Sequence, residues 1–381
     1  MKKKLVRTTT IPSSMRGLLT GQLKYMSDYY DVIAITSDGD VYDKMLEEQH
    51  VRGYKVPFTR DTFSIGKDIK SFFMLIKIFR KERPFIVHSH MSKDGLLCMV
   101  AAWLCKVPNR FYTIAGLADI PGIRGFLLNI AEWVTFRCAT KLYPISQNML
   151  DIYVNRGMFK REKAKVIFNG SSNGFDADFF SRGQVHMDDV DKLRKELSIM
   201  NNSFVFCSIG RIVKDKGINE LIKAFLLLQK DGLNVELLML GNFENQYNPI
   251  DENTKYEIGH NSHIHYVGYQ SDIRPYLMLS NTLVHASYRE GFGNVIAQAG
   301  LMDLPSIVTN ICGPNEIIKD GINGNIIPRK NVKALYDMMK YYYNNIPEVD
   351  RMGSNARKLI VDRYKRSDLW KAILQEYKSY E

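Results

Sequence analysis

The chain has 381 residues, 45% hydrophobic and 24% charged, with a formal net charge of +11. This balance excludes a disordered or fibrous chain, and the length predicts two domains rather than one core. No apolar run reaches the length of a membrane span, and the charge favours an anionic partner: a nucleotide, an anionic lipid surface or nucleic acid.

The start, MKKKLVRTTT, is basic but lacks the apolar core of a secretory signal. Strands are expected at 5–10 (LVRTTT), 31–37 (DVIAITS), 54–58 (YKVPF), 85–90 (FIVHSH), 110–116 (RFYTIAG), 141–146 (KLYPIS) and 164–170 (AKVIFNG). A second series follows at 204–210 (FVFCSIG), 235–241 (VELLMLG), 264–269 (IHYVGY), 282–287 (TLVHAS), 305–310 (PSIVTN) and 324–328 (GNIIP). Helical stretches separate most of them, the pattern of parallel sheets covered on both faces. Two series imply two doubly wound α/β domains. The polar stretch from Asn169 to Asp189 reads as the linker, which places the domains at 1–185 and 186–365. The amphipathic tail, 366–381, is expected to pack back on the first domain. The five cysteines (Cys98, Cys105, Cys138, Cys207 and Cys312) form no C-x-x-C pair and predict reduced thiols in a cytosolic chain.

Ligands of open parallel sheets bind beyond the carboxyl ends of strands, so chemistry is expected just after each strand. After FVFCSIG, Arg211 and Lys216 precede a helix expected near Gly217, a plausible anion site. After TLVHAS comes SYREGFGNVIAQAG. Gly291 and Gly293 permit close backbone approach, and a helix opening near Asn294 offers free N–H groups to a diphosphate. Glu290 is then placed to accept from ligand hydroxyls. Gln298 lies one turn past Asn294 on the same face and reaches a second set. Solvated charge and helix capping explain the same residues without a ligand. At Gly313, Pro314, Asn315 and Glu316 capping is the preferred reading.

In the first half, VHSHMSKDG ends a strand with His88, His90 and Lys93. The two histidines share a face, as inward core groups or with His90 reaching a ligand. Gly17, in TTTIPSSMRG, reads as a permissive turn near the same place. The triplets at Asp38–Asp40 and Asp176–Asp178 fit turns and caps better than a metal site. No Ser-His-Asp arrangement or phosphate loop of the G-x-x-x-x-G-K-[ST] type occurs.

The stretches GRIVKDKG (210–217), SYREGFGNVIAQAG and GPNEIIKDGINGNIIP (313–328) resemble retaining glycosyltransferase family 4. RPFIVHSHMSKDGLLCMVAAWLCKVPNRFYTIAGL resembles the N-terminal domain of bacterial members that build capsule, O-antigen or exopolysaccharide. The resemblance implies a GT-B fold, with an N-terminal acceptor-binding and a C-terminal donor-binding domain. Arg211 and Lys216 would hold the donor diphosphate. Glu290 would contact the transferred sugar, with Gly291, Phe292, Gly293, Asn294 and Val295 forming the donor-binding stretch. Position 298 would meet the nucleotide ribose, with Gln298 where Glu is usual. Ala115 stands where many members carry a histidine on the donor sugar, leaving His90 or Thr113 as substitutes. His90, Lys93, Thr113 and Gly17 fall on the acceptor side.

The expected activity is transfer of a sugar from a nucleotide diphosphate sugar, with UDP favoured by the resemblance, to a lipid-linked (undecaprenyl) or oligosaccharide acceptor. No metal or other cofactor is expected. A nucleotide-sugar epimerase and a non-catalytic nucleotide-sugar binder are the alternatives, and no nucleic-acid motif is recognisable. The basic amphipathic stretch Ser64–Pro84 and the apolar face of Ile123–Cys138 suggest peripheral docking on the inner face of an anionic membrane. Packing of both helices on the N-terminal sheet is the simpler reading.

Overall fold

Every short apolar run expected as a strand forms one, except 164–170. The computed structural model describes residues 2–59, 64–117, 122–244 and 248–381. They divide into two units, Met1–Gly174 with Arg366–Glu381, and Phe175–Lys365.

The first unit holds β1 (Lys4–Thr8), β2 (Asp31–Thr36), β3 (Arg52–Lys55), β4 (Ile86–Ser89), β5 (Asn109–Ile114) and β6 (Lys141–Pro144). Their spatial order is β3-β2-β1-β4-β5-β6, all parallel. The second holds β7 (Phe204–Ile209), β8 (Val235–Leu240), β9 (Ile264–Tyr266), β10 (Thr282–His285), β11 (Ser306–Thr309) and β12 (Gly324–Ile327). Its order, β12-β11-β10-β7-β8-β9, is the same winding repeated. Each sheet reverses its strand order once, at β1/β4 and at β7/β10. Such a switch point leaves a crevice at the carboxyl ends of two adjacent strands.

The exception is instructive. Ala164 makes one isolated bridge to Leu142, and then Phe168 and Gly170 turn left-handed, at φ 54° and 93°. A strand cannot continue through that backbone. The expected linker also proves shorter. Phe175 and Phe180 are buried in the second unit, and the Phe175 ring stacks on Phe292. The chain therefore enters the second unit at Phe175, ahead of the expected 185/186 boundary. The tail helix Arg366–Lys378 supplies Leu369, Ile373, Leu374 and Tyr377 to the core of the first unit.

In the first unit, helix Ser92–Leu104 packs between helices Ile65–Glu82 and Gly122–Cys138. Their inner faces bury Leu75, Ile78, Phe79 and Phe136. Their outer faces are not polar. Ile65, Ile69 and Phe73, on one stripe, are 71%, 53% and 64% exposed, and Ile123 and Phe126 are 81% and 65% exposed. Trp103, Leu104 and Trp133 are exposed as well. Exposed Lys67, Lys70, Lys77 and Lys81 all lie on helix Ile65–Glu82.

In the second unit, Glu236 on β8 is buried, with His263 Nδ1 at 3.2 Å and His265 Nε2 at 2.9 Å. Burial alone would push its carboxyl up, but the two histidines outweigh it and hold it below the ordinary range. A depressed carboxyl stabilises the fold above its unfolded value, near pH 4.3, and loses that contribution as pH falls through the folded value. We expect Glu236→Gln, which removes the ionised acceptor of these two contacts, to cost about 1 kcal/mol at pH 7, and the difference from wild type to shrink below pH 4. Urea midpoints at the two pH values measure this; equal destabilisation at both would contradict it.

Candidate active site

The switch point of the second unit brings together the loops that follow β7 and β10. The first passes through a single turn, Lys214–Lys216, and Gly217 (φ 70°) into helix Ile218–Lys230. A side chain at Gly217 would strike the Ala286 carbonyl at the end of β10. Cross-links hold the two loops in register. The Tyr288 N–H donates to the Asp215 carbonyl at 2.8 Å, Arg289 Nη2 lies 2.8 Å from Asp215 Oδ2, and the Tyr288 hydroxyl donates to Glu220 at 2.6 Å.

Across this junction Lys216 Nζ forms an ion pair with Glu290 Oε2. His285, the last residue of β10, places Nε2 3.3 Å from the same oxygen. Burial pushes the Glu290 carboxyl up, but His285 and the Lys216 charge hold it well below the usual carboxylate range. Glu290 is thus an anion held in place, with its acceptor oxygens fixed.

Gly291–Gly293 then turn the chain into helix Asn294–Leu301, with Gly293 as a left-handed N-cap at φ 95°. The first N–H groups of such a helix lack intrahelical acceptors and carry partial positive charge. The helix is anchored from behind. Gly300 allows close approach to Ile360 and Ala356 of helix Ile346–Tyr364, with a Cβ at 300 only 3.2 Å from Ile360 Cγ1. The Phe292 ring is buried between Phe175 and Tyr364, so that residue presents only its main chain to a ligand. Asn294 is exposed and Val295 half-buried.

A cavity of about 450 Å³ opens beyond β7, β8 and β9. Arg211 and Gln298 both line it, together with Gly210, Gly241, Glu244 and Tyr269. Arg211 Nη1 lies 2.8 Å from Glu244 Oε2. The structure therefore groups the predicted residues in two sets: Arg211 with Gln298 around the cavity, and Lys216 with Glu290 in the ion pair. Helix 294–301 connects them, since it begins beside Glu290 and carries Gln298 to the cavity. Gly313 packs on the Gly291 main chain, so the loop after β11 buttresses this site.

Of the residues predicted on the first unit, His90 and Thr113 line one small cavity, and Gly17 and Lys93 do not. Gly17 is inside helix Pro12–Leu18, exposed and without a left-handed φ. It is not the expected turn, because Pro12 starts a helix that runs through it. Lys93 Nζ is held 3.0 Å from Asp68 and 2.7 Å from Thr59 Oγ1. His90 and Thr113 are buried, Thr113 against His88 Nε2 at 2.8 Å. The D-x-D triplets serve local structure: Asp38 accepts from the Gly39 N–H and pairs with Lys55, and Asp176 accepts from the Phe179 N–H.

Sequence reasoning missed His285, Glu244 and the cavity wall 269–273. The rule that ligands sit after strands would have found the wall, had it been applied to β8 and β9 as it was to β7 and β10. His285 gave no signal, because a histidine ending a buried strand reads as core.

Residues 23–172 match the family described as Glycosyltransferase Family 4, and residues 189–359 that described as Glycosyl transferases group 1. The capsular polysaccharide biosynthesis glycosyltransferase CapM of Staphylococcus aureus is 30% identical, over 99% of this chain and 97% of CapM. The UDP-Gal:α-D-GlcNAc-diphosphoundecaprenol α-1,3-galactosyltransferase of Escherichia coli is 26% identical, over 89% of this chain and 86% of that one. In fold, the chain is similar to the crystal structure of Anabaena HepE in complex with UDP, with a TM-score of 0.81, 19% identity and all of both chains covered. With two matching switch-point sheets and these relatives, the chain belongs to the GT-B glycosyltransferases of family 4.

Proposed function

We propose that the protein transfers a sugar, with retention of anomeric configuration, from a UDP-hexose or UDP-N-acetylhexosamine to a lipid-linked or glycan acceptor in bacterial surface polysaccharide synthesis. The observation that carries this reading is the Lys216–Glu290 pair at a switch point, one short helix away from a cavity lined by Arg211 and Gln298. The cavity has the size of a nucleotide site. The relatives support the class of substrates: the Escherichia coli enzyme is named for UDP-Gal and a diphosphoundecaprenol acceptor, and HepE binds UDP.

In this mechanism the base and ribose occupy the cavity, with Gln298 on the ribose hydroxyls. Arg211 exchanges Glu244 for the diphosphate. Lys216 and the N-terminus of helix 294–301 complete the positive surround. As the glycosidic bond breaks, charge accumulates on the departing UDP, and fixed positive groups stabilise it by several kcal/mol. Glu290 accepts from hydroxyls of the transferred sugar. The acceptor hydroxyl attacks from the face the UDP leaves, its proton passing to the diphosphate. These protein cations supply the positive charge a metal would otherwise provide, so activity should survive excess EDTA. The deciding assay incubates the protein with UDP-glucose, UDP-galactose and their N-acetylhexosamine analogues, with and without a polyprenyl-diphosphate sugar. Acceptor-dependent UDP release and an NMR-defined retained anomer support the proposal. Isomerised free UDP-sugar would indicate an epimerase, and binding without turnover a non-catalytic protein.

A neutral amide bonds ribose hydroxyls more weakly than a carboxylate by about 1 kcal/mol. Gln298→Glu is therefore expected to tighten UDP binding about fivefold, read by calorimetry. Unchanged or weaker binding would remove the ribose role.

Attachment to the inner face of the cell membrane completes the proposal. The apolar stripe of Ile65, Ile69 and Phe73, with lysines on the same helix, and the exposed Ile123, Phe126 and Trp133 on helix Gly122–Cys138, suit an anionic bilayer surface. The expected result is co-sedimentation with anionic vesicles, weakened by salt and by Ile69→Ser with Phe73→Ser. Equal partitioning with and without vesicles at low salt would refute attachment.

A further inference from the structure

The first unit has its own switch point, between β1 and β4, and it carries a buried cation. Arg7, near the carboxyl end of β1, is wholly buried, and it pairs in register with His88 on β4. Its Nη2 donates to Gln22 Oε1 at 2.6 Å, and Nη2 and Nε approach His90 Nε2 at 2.7 and 3.2 Å. Among the described residues its Nη1 has no partner. Neither partner is an anion. His90 is buried beside the guanidinium, and both effects hold its ring well below the ordinary value and neutral. With Nε2 accepting from Arg7, a neutral ring carries its proton on Nδ1, and that nitrogen too is buried without a partner among the described residues. The neighbouring buried carboxylate, Asp94, is taken by the hydroxyls of Thr8 and Thr10 at 2.6 and 3.0 Å.

Arg7 and His90 line a small, partly open cavity of about 20 Å³, closed by Thr113, Ser171, Ser172 and the tail-helix residue Ile373. Arginine does not shed its proton in proteins, and burying an unpaired guanidinium is costly. Two unpaired N–H donors on residues that line this cavity, with no acid among the cation's partners in the described residues, call for a negative ligand. The volume admits one atom of water size and not a whole phosphate.

We propose that this pocket is an anion site, which takes one halide ion or one charged oxygen of a phosphate. The phosphate is either the free ion or the diphosphate of a lipid-linked acceptor. Only this last assignment rests on the proposed function, and the test below uses no nucleotide sugar.

Thermal unfolding of the full chain is measured in sodium gluconate, chloride, inorganic phosphate and farnesyl diphosphate, at matched ionic strength. ³⁵Cl NMR line widths report chloride binding directly. An occupied site raises the midpoint by about 2–4 °C over gluconate. Arg7→Met, folded by circular dichroism, loses both this rise and the chloride broadening. If Arg7→Met does not fold, His90→Gln takes its place. A response to chloride and phosphate alone assigns a free ion, and a stronger response to farnesyl diphosphate assigns the acceptor headgroup. Equal midpoints in all four salts, with no excess line width, mean that the pocket holds water and overturn the site. A rise that persists in the folded variant places the anion elsewhere and overturns it as well.

Discussion

Lys216→Met should lower kcat for UDP release about 10²–10³-fold, the size of effect seen when one fixed charge-stabilising group is removed from a transition state. The ammonium sits against Glu290, itself mostly enclosed. In the free enzyme it helps keep that carboxylate ionised, and in the proposed complex it would face the leaving diphosphate. Its loss therefore acts twice. The departing charge is less stabilised, and Glu290 loses the second of its two named partners, leaving His285. Glu290→Gln should also be slow, but it frees Lys216. If the two residues act as one unit, the double variant is little slower than the worse single one. Steady-state kinetics on the four proteins completes the cycle. Multiplicative losses would show two independent residues, and a Lys216→Met kcat within threefold of wild type would remove its role.

Gly241→Ala is expected to destabilise the second unit by about 2–4 kcal/mol, read from the urea midpoint. Gly241 directly follows β8 with φ 134°, a conformation that side chains rarely adopt. A Cβ there would fall on the carbonyl oxygen of Gly210, inside any van der Waals contact. Relief requires the loop after β7 to move away from the loop after β8. Both glycines line the cavity, so the same shift should weaken UDP binding by tenfold or more. Gly232→Ala is the control. Gly232 is also left-handed, at φ 74°, but has open space around it, and it should cost only the backbone term and leave UDP binding intact. Equal effects on UDP binding would show that close approach at Gly241 does not shape the cavity.

The strands were legible because their side chains obey a local rule. A fully buried parallel strand is a short apolar run, and VELLML or DVIAIT reads the same in isolation as in the sheet. The run at 164–170 failed that rule for a reason the alphabet hides: Phe168, a residue with no intrinsic taste for it, takes a left-handed backbone. The loop signals at Arg211, Lys216 and Glu290 were legible for a similar reason, since charge and glycine after a strand point to the open end of a sheet.

What the amino-acid order determined alone was therefore the strand alternation, the two-unit plan and the short roster of charged residues behind β7 and β10. Tertiary structure decided which of them meet. Lys216 and Glu290 are 74 positions apart and touch because β7 and β10 are neighbours in the sheet. Tertiary structure alone also withdrew the Phe292 ring into the core, put Gly17 in a helix, and buried Arg7 and His90 around one cavity. Strand order and helix docking arise from contacts far apart along the chain, and no periodicity within a segment encodes them.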